Sequence, residues 1–246
     1  MKLMQKVIGV GMLCIALNAC KKDPPSPPPP ATTVKDVDGN VYHTVKIGDK
    51  YWTVENAQMT HFRNKDSAIP QQPVTNNWTS TTTPAWCYYN NTTNADTQRT
   101  YGKLYNWYTI NHKGADGKPD FAPVGYHVPD TAEVNALIVA LGGILKDGGD
   151  TTVGGKLKEA GITHWTTPNT GANNSSGFTA LPAGFRSSNG GANNGFNGIG
   201  TYFYLWSSTN RIPTNSYYYY LRNSSSIIYR DDNNIHGGYS VRFVKD

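Results

Sequence analysis

Apolar and polar positions along the chain divide it into three unlike stretches. From Val34 to Asn56, short runs of β-branched and aromatic residues (Val41, Thr44, Val45, Ile47, then Tyr51, Trp52, Val54) are separated by Asp38-Gly39-Asn40 and Gly48-Asp49. That pattern predicts strands joined by tight turns. Residues 60–98 are polar and punctuated by proline, and read as a long loop region. Next, Tyr101, Leu104, Tyr105 and Tyr108 follow i, i+3, i+4, i+7 spacing, which predicts an amphipathic helix over Thr100–Asn111. A second helix is marked more fully. Asp130 and Glu133 form a capping box, Val134, Leu137, Ile138 and Leu141 make a stripe, and Gly142-Gly143 stops it. A short third helix is predicted from Gly155 to Ala160. Beyond Thr163 the chain is rich in Gly, Asn, Ser and aromatics. Strands are expected at Phe178–Pro182, Tyr202–Ser207, Tyr217–Arg222, Ser226–Arg230 and Tyr239–Val244. Two main helices within a strand- and loop-rich chain define an α+β class.

The N-terminus has a different pattern and a different purpose. Lys2 and Lys6 precede an apolar run from Val7 to Leu17, 11 residues long and too short to span a bilayer. Leu17-Asn18-Ala19-Cys20 resembles a bacterial lipobox, so residues 1–19 read as a lipoprotein signal and Cys20 as the lipidated residue. Residues 20–33 then form a tether containing Pro24, Pro25 and Pro27 to Pro30. Consecutive prolines favour polyproline II, a stiff spacer of ~3.1 Å per residue. Lys21-Lys22-Asp23 partly resembles the surface-export signal of Bacteroidetes lipoproteins. The expected location is therefore the outer membrane, lipid-anchored and facing the cell exterior. The membrane is the expected partner of the anchor.

Composition adjusts this picture in two ways. The net charge of +5 suggests a basic protein, but four of the 22 basic groups are Lys2, Lys6, Lys21 and Lys22. The remaining 18 face 17 acidic groups, and no basic cluster marks a nucleic-acid surface. Charged residues are only 16% of the chain, so Asn, Thr, Ser and Tyr must supply surface polarity. That excludes a helical bundle, and the 12% aromatic content excludes a disordered chain. Of three cysteines, Cys14 leaves with the signal and Cys20 takes lipid. Cys87 alone remains, so the domain at 34–246 has no internal disulfide.

Several segments carry a family resemblance. In order they include Asp38-Gly39-Asn40-Val41-Tyr42, Tyr101-Gly102-Lys103-Leu104-Tyr105-Asn106-Trp107-Tyr108 and Gly125-Tyr126-His127-Val128-Pro129. Further on stand Gly154-Gly155-Lys156-Leu157-Lys158-Glu159, Ser176-Gly177-Phe178-Thr179-Ala180-Leu181-Pro182, Trp206-Ser207-Ser208-Thr209 and Gly238-Tyr239-Ser240-Val241-Arg242. The chain resembles the Fibrobacter succinogenes major paralogous domain over about residues 36–246. That family is in turn similar to C-type lectin-like domains, especially the branch with formylglycine-generating enzyme. The resemblance implies a domain with two helices, a small antiparallel sheet and long loops forming a ligand face. It also implies a disulfide in relatives at the positions of Ala122 and Phe243, both lost here. Phe243 is then expected to fill the space beside Ala122.

The chemistry-bearing residues point away from catalysis. Asp231-Asp232-Asn233-Asn234 supplies hard oxygen atoms, but reads as a solvated hairpin turn. The six histidines are scattered, and His127 and His164 read as structural core residues. Cys87 cannot reproduce the paired cysteines of formylglycine-generating enzyme. No hydrolase or metalloprotease motif occurs. No enzyme, metal or other cofactor is expected.

Half of the residues from 201 to 240 are Asn, Tyr or Ser. Tyrosine offers rigid amphipathic area, and Ser and Asn offer adaptable hydrogen bonds, as in known binding surfaces. Candidate ligand contacts are Tyr202, Tyr204, Tyr218, Tyr220, Arg222, Tyr229, Arg230 and Asp232. The expected ligand is a glycan or a protein. The alternative is a structural or adhesive component of a surface assembly. Some proteins with this domain architecture resemble targets of diversity-generating retroelements. Mutated Asn codons would yield the Tyr, Ser, Asp, His, Ile and Arg that crowd 202–236.

Overall fold

The computed structural model describes residues 32–64, 67–145 and 152–246. The signal, Cys20 and the tether up to Ala31 lie outside the described residues. In chain order the elements begin with β1 (Thr32–Lys35), β2 (Val41–Ile47) and β3 (Lys50–Thr53). There follow α1 (Thr75–Ser80), β4 (Trp86–Cys87), α2 (Ala95–Tyr101), β5 (Leu104–Tyr105), α3 (Trp107–Ile110) and β6 (Tyr126–His127). Next come α4 (Thr131–Ala140), α5 (Gly154–Leu157), β7 (Ala183–Arg186) and β8 (Phe196–Ile199). The chain closes with β9 (Tyr202–Ile212), β10 (Asn215–Arg222), β11 (Tyr229–Asn234) and β12 (Val244–Lys245). The fold is mixed α+β and mostly β. One sheet has the order β1-β2-β3-β12-β6 and a second the order β11-β10-β9-β7-β8, with β4 and β5 paired separately.

The N-terminal hairpins form as the alternation requires. Tyr42, Thr44 and Ile47 of β2 are buried while Val41 and His43 face out. The capping box of α4 is present: Asp130 Oδ1 accepts from Glu133 N at 2.8 Å, and Asp130 N donates to Glu133 Oε2 at 3.2 Å. Val134, Leu137 and Ile138 of α4 pack with Phe203, Leu205, Tyr219 and Leu221 of the second sheet. On that sheet's other face, Trp206, Tyr218 and Tyr239 join a larger cluster with Tyr42, Tyr105 and Phe121. Ala122 and Phe243 are both buried in that cluster, and the Phe243 ring lies 5.8 Å from those of Tyr42 and Phe121.

Several predicted elements are corrected. The helix expected over Thr100–Asn111 is broken at Gly102, whose φ is +69°. A Cβ there would lie 2.9 Å from Asn56 Cβ and 3.0 Å from Ala57 O. The chain turns, and Leu104 and Tyr105 pair with Cys87 and Trp86 as a strand. The helix expected to Ala160 stops at Leu157, because Lys158 is extended. Phe178–Pro182 is not a strand: Thr179 has φ +53°, and regular pairing begins at Ala183. Asp231 to Asn234 are not a turn but the last four residues of β11, paired with Asn215–Tyr218. Ser226 and its neighbours make the turn instead. In the last predicted strand only Val244 and Lys245 form a ladder, while Tyr239 and Ser240 make single bridges to Tyr105 and Leu205.

Irregular backbone leaves carbonyl groups that need donors. Here buried cations supply them. Arg242, fully buried, donates to Asn56 Oδ1 at 2.7 Å and to the carbonyls of Thr53 (3.0 Å), Phe178 (3.0 Å) and Thr179 (3.1 Å). It also donates to the Val54 carbonyl and lies 4.9 Å from the Phe178 ring centroid. Lys158 holds the carbonyls of Thr170, Ser225 and Arg222 at 3.0, 2.9 and 3.2 Å. Arg186 holds those of Gln72 and Pro73 at 2.6 and 3.0 Å between the rings of Trp78 and Phe196. Lys103 holds the Gln58 carbonyl at 2.6 Å. The oxygens that accept from all four are neutral, and Arg186 also meets the Cys87 thiol. The approach of α5 to its neighbours demands Gly155, where a Cβ would meet Gly171 O at 2.2 Å.

Replacing Arg242 with Met removes the charge-assisted hydrogen bonds and strands buried carbonyls. Each such loss costs about 1.5–3 kcal/mol. The expected destabilisation in urea unfolding is about 4 kcal/mol or more, with Arg242→Lys intermediate. A change under about 1 kcal/mol in Arg242→Met would refute the role given to the guanidinium.

Candidate functional site

The register of β9, β10 and β11 decides what the aromatic segment can present. Tyr218, Tyr220 and Arg222 of β10 oppose Trp206, Tyr204 and Tyr202 of β9. Tyr218 and Tyr220 also oppose Asp231 and Tyr229 of β11. Because neighbours along a strand alternate, these residues share one face. Tyr217, Tyr219, Arg230 and Asp232 share the other. The eight candidate contacts are therefore divided. Tyr202, Tyr204, Tyr218, Tyr220, Arg222 and Tyr229 lie together. Arg230 and Asp232 lie on the opposite side of the sheet.

The first face is a continuous ladder of rings. Tyr204 stacks on Tyr220 with centroids 5.4 Å apart and planes inclined by 14°. Tyr220 stacks on Tyr229 at 4.8 Å and 15°. Tyr202 lies 5.8 Å from Tyr204, and Phe185 lies 4.6 Å from it on the other flank. Beneath them, Tyr218 is only 7% exposed and sits against Tyr204 (5.3 Å) and Tyr239 (5.0 Å). Trp206 closes the floor, its indole N–H donating to Tyr105 O at 2.8 Å. Tyr202, Tyr204, Tyr220, Tyr229 and Arg222 remain half-buried, with part of each open to solvent. Arg222 ends the ladder: its guanidinium lies 4.7 Å from the Tyr229 ring centroid and donates to the Tyr229 hydroxyl at 2.6 Å. The turn from Asn223 to Ile228 is fixed by Lys158, which holds the carbonyls of Arg222 and Ser225.

The second face is mostly covered by α4. The Tyr219 hydroxyl donates to Asn135 Oδ1 at 3.0 Å and is directed to Thr131 O at 3.3 Å. Its outer end is open, where Arg211, Tyr217, Arg230 and Asp232 meet, with Asp231 at the rim. The sequence reading passed over Arg211, Tyr217 and Phe185. Reading 229–234 as a strand would have revealed the first two, since Arg230 and Asp232 then alternate away from Tyr229.

Several other candidates are placed plainly. Cys87 is fully buried, and burial pushes its thiol up to about 12. His127 and His164 are not core residues. His127 is partly exposed between Glu133 (2.8 Å) and Asp246 (2.6 Å), and hydrogen bonding to Glu133 raises its pKa despite partial burial. His164 pairs with Glu159 at 2.8 Å. His43, His61 and His112 each contact one carboxylate as well. Among the described residues no group of three or more His, Cys, Asp or Glu is placed to hold a metal ion. None of the described helices is long and apolar enough to cross a membrane.

These features define a mostly β, α+β domain organised round an aromatic sheet. The chain belongs to the Fibrobacter succinogenes major domain family, whose model matches residues 45–245. No curated protein and no solved structure matches it.

The ladder has a pH signature. Burial raises the Tyr204, Tyr218 and Tyr239 pKa values far above 10, and that of Tyr219 to about 12. A raised folded pKa favours the protonated form. Its stabilising contribution is complete below the ordinary value of 10 and is lost as pH rises above it. Tyrosinate absorbance of the native protein should therefore account for only part of the 16 tyrosines at about pH 11, the rest appearing with unfolding. Reversible ionisation of all 16 near pH 10 without unfolding would contradict this packing.

Proposed function

We propose that the chain is a surface-displayed outer-membrane lipoprotein carrying a non-enzymatic, C-type lectin-like ligand-binding domain. In this reading residues 1–19 are removed, Cys20 is acylated, and a tether shorter than the expected 20–33 holds the domain away from the membrane, because Thr32 and Thr33 already pair with β2 as part of β1. The observation that carries the binding part is the half-open ladder of Tyr202, Tyr204, Tyr220 and Tyr229 ending at Arg222. Its rings are ordered by mutual stacking before any ligand arrives. A preordered aromatic surface loses little side-chain entropy on binding. A glycan would stack on the ring faces, and a protein would use the same tyrosines as anchors. Tyr218 would act from beneath by supporting Tyr204.

The alternative is a structural or adhesive part of a surface assembly, joined through strand edges. β11 is the edge strand next to the ladder, and it carries Arg230, Asp231 and Asp232. Charge along an edge discourages strand addition, which favours the binding reading. If the C-terminal third is diversified between strains, variation should fall on the half-open positions and spare Tyr218.

Two measurements test this. A glycan and host-protein array probed with the purified protein should yield a ligand whose affinity falls at least about tenfold in Tyr220→Ala and Tyr229→Ala, as expected for hot-spot tyrosines. Binding that survives both substitutions would remove the ladder from the site. For the anchor, Cys20→Ala should abolish acyl labelling and release the protein from membranes. Persistent labelling would refute acylation at Cys20.

A further inference from the structure

Arg230 and Asp232 face away from the tyrosine ladder. With Arg211, Tyr217 and Asp231 they line an open cleft of about 310 Å³ at the outer end of β9, β10 and β11. Arg211 is ion-paired with Asp232, and Asn215 Nδ2 donates to the other Asp232 oxygen at 2.8 Å. These two bonds fix the carboxylate but leave about half of its acceptor positions unused. Arg230 is different. Its guanidinium lies 5.4 Å from the Tyr217 ring centroid and touches the Tyr219 side chain, and it pairs with no carboxylate among the described residues. The cleft thus places a fixed acceptor, a cation that forms no ion pair among the described residues and an aromatic ring side by side, with the Asp231 carboxylate at its rim.

Those three groups select the ligand together. A simple anion satisfies Arg230 but offers no donor to the unused acceptor positions of Asp232. A neutral sugar donates to Asp232 but leaves Arg230 unmatched. An acidic sugar answers both, because its hydroxyls donate to Asp232 while its anionic group takes charge-assisted hydrogen bonds from Arg230. We infer that this cleft is a separate binding site for an acidic sugar, one carrying a carboxylate or a sulfate ester. Tyr217 supplies the surface for the ring's apolar side. The inference extends the ligand-binding reading of the C-terminal sheet, but it concerns the opposite face and different residues.

Calorimetric titration of the full protein with a uronate-bearing hexasaccharide, a sulfated hexasaccharide, their neutral counterpart and an acidic hexapeptide tests it. At least one acidic oligosaccharide should bind, the arm that binds identifying carboxylate or sulfate. Its affinity should fall with added salt and drop at least tenfold in Arg230→Gln. Arg230 lies on an edge strand, so the unfolding midpoint of that variant should be unchanged. Tyr220→Ala, on the ladder face, should leave this affinity intact even where it destroys binding to an array ligand. Failure of both acidic oligosaccharides to bind folded protein would overturn the inference. So would unchanged affinity in Arg230→Gln, equal binding of the neutral sugar or equal binding of the peptide.

Discussion

The fold depends on a single guanidinium. Arg242 reaches the end of β3 through Thr53, Val54 and Asn56, and the loop before β7 through Phe178 and Thr179. Burying a charge without a counter-ion is ordinarily prohibitive. Burial does pull its pKa down, to about 9, while Glu55 pushes back. The cost is met by geometry. A guanidinium offers five donors in a fixed fork, and here they meet four carbonyls and one amide oxygen. A neutral residue could not satisfy so many acceptors from one position. The carbonyls, for their part, belong to the last residue of β3 and to loop backbone beyond the ladders.

The same arrangement recurs at three other irregular segments. Arg186 serves the segment before α1, Lys103 the loop at Gln58, and Lys158 the turn between β10 and β11. Lys158 connects the fold to the candidate site most directly. Its ammonium fixes the carbonyl of Arg222 itself, so the end of the aromatic ladder is set by a residue more than sixty positions earlier. Low overall charge therefore does not mean that charge matters little. Several of the few cations are interior braces.

What the sequence revealed, and what it concealed, follows from the same physics. The N-terminal hairpins and α4 were legible because their signals are local: alternation, turn residues and a capping box. The errors fall where a distant residue overrides a local pattern. Phe178–Pro182 has strand composition, but the carbonyls of Phe178 and Thr179 are claimed by Arg242. Tyr101, Leu104 and Tyr105 have helical spacing, but Gly102 must pass against Asn56 and Ala57. Asp231 to Asn234 have turn composition, yet β10 captures them as a strand because Lys158 fixes the true turn a few residues earlier. The site was half legible for this reason. Its residue types were visible, but moving the turn moved β11, and so decided which side chains share a face.

That displacement bears on how tyrosine is used. A four-tyrosine run on a two-faced sheet cannot be a binding surface throughout. Tyr219 points to α4 and bonds Asn135, and Tyr218 lies under Tyr204. Only the two ends of the run, Tyr217 and Tyr220, reach solvent, one on each face. Tyrosine suits both positions because its ring packs like phenylalanine and its hydroxyl tolerates water or a polar partner. The core therefore grades into the surface through one residue type, with each ring stacked on the next. Exposed rings placed this way inherit the rigidity of the buried ones. An aromatic surface made from isolated loop residues would have to be ordered by its ligand, whereas this one is ordered by the core.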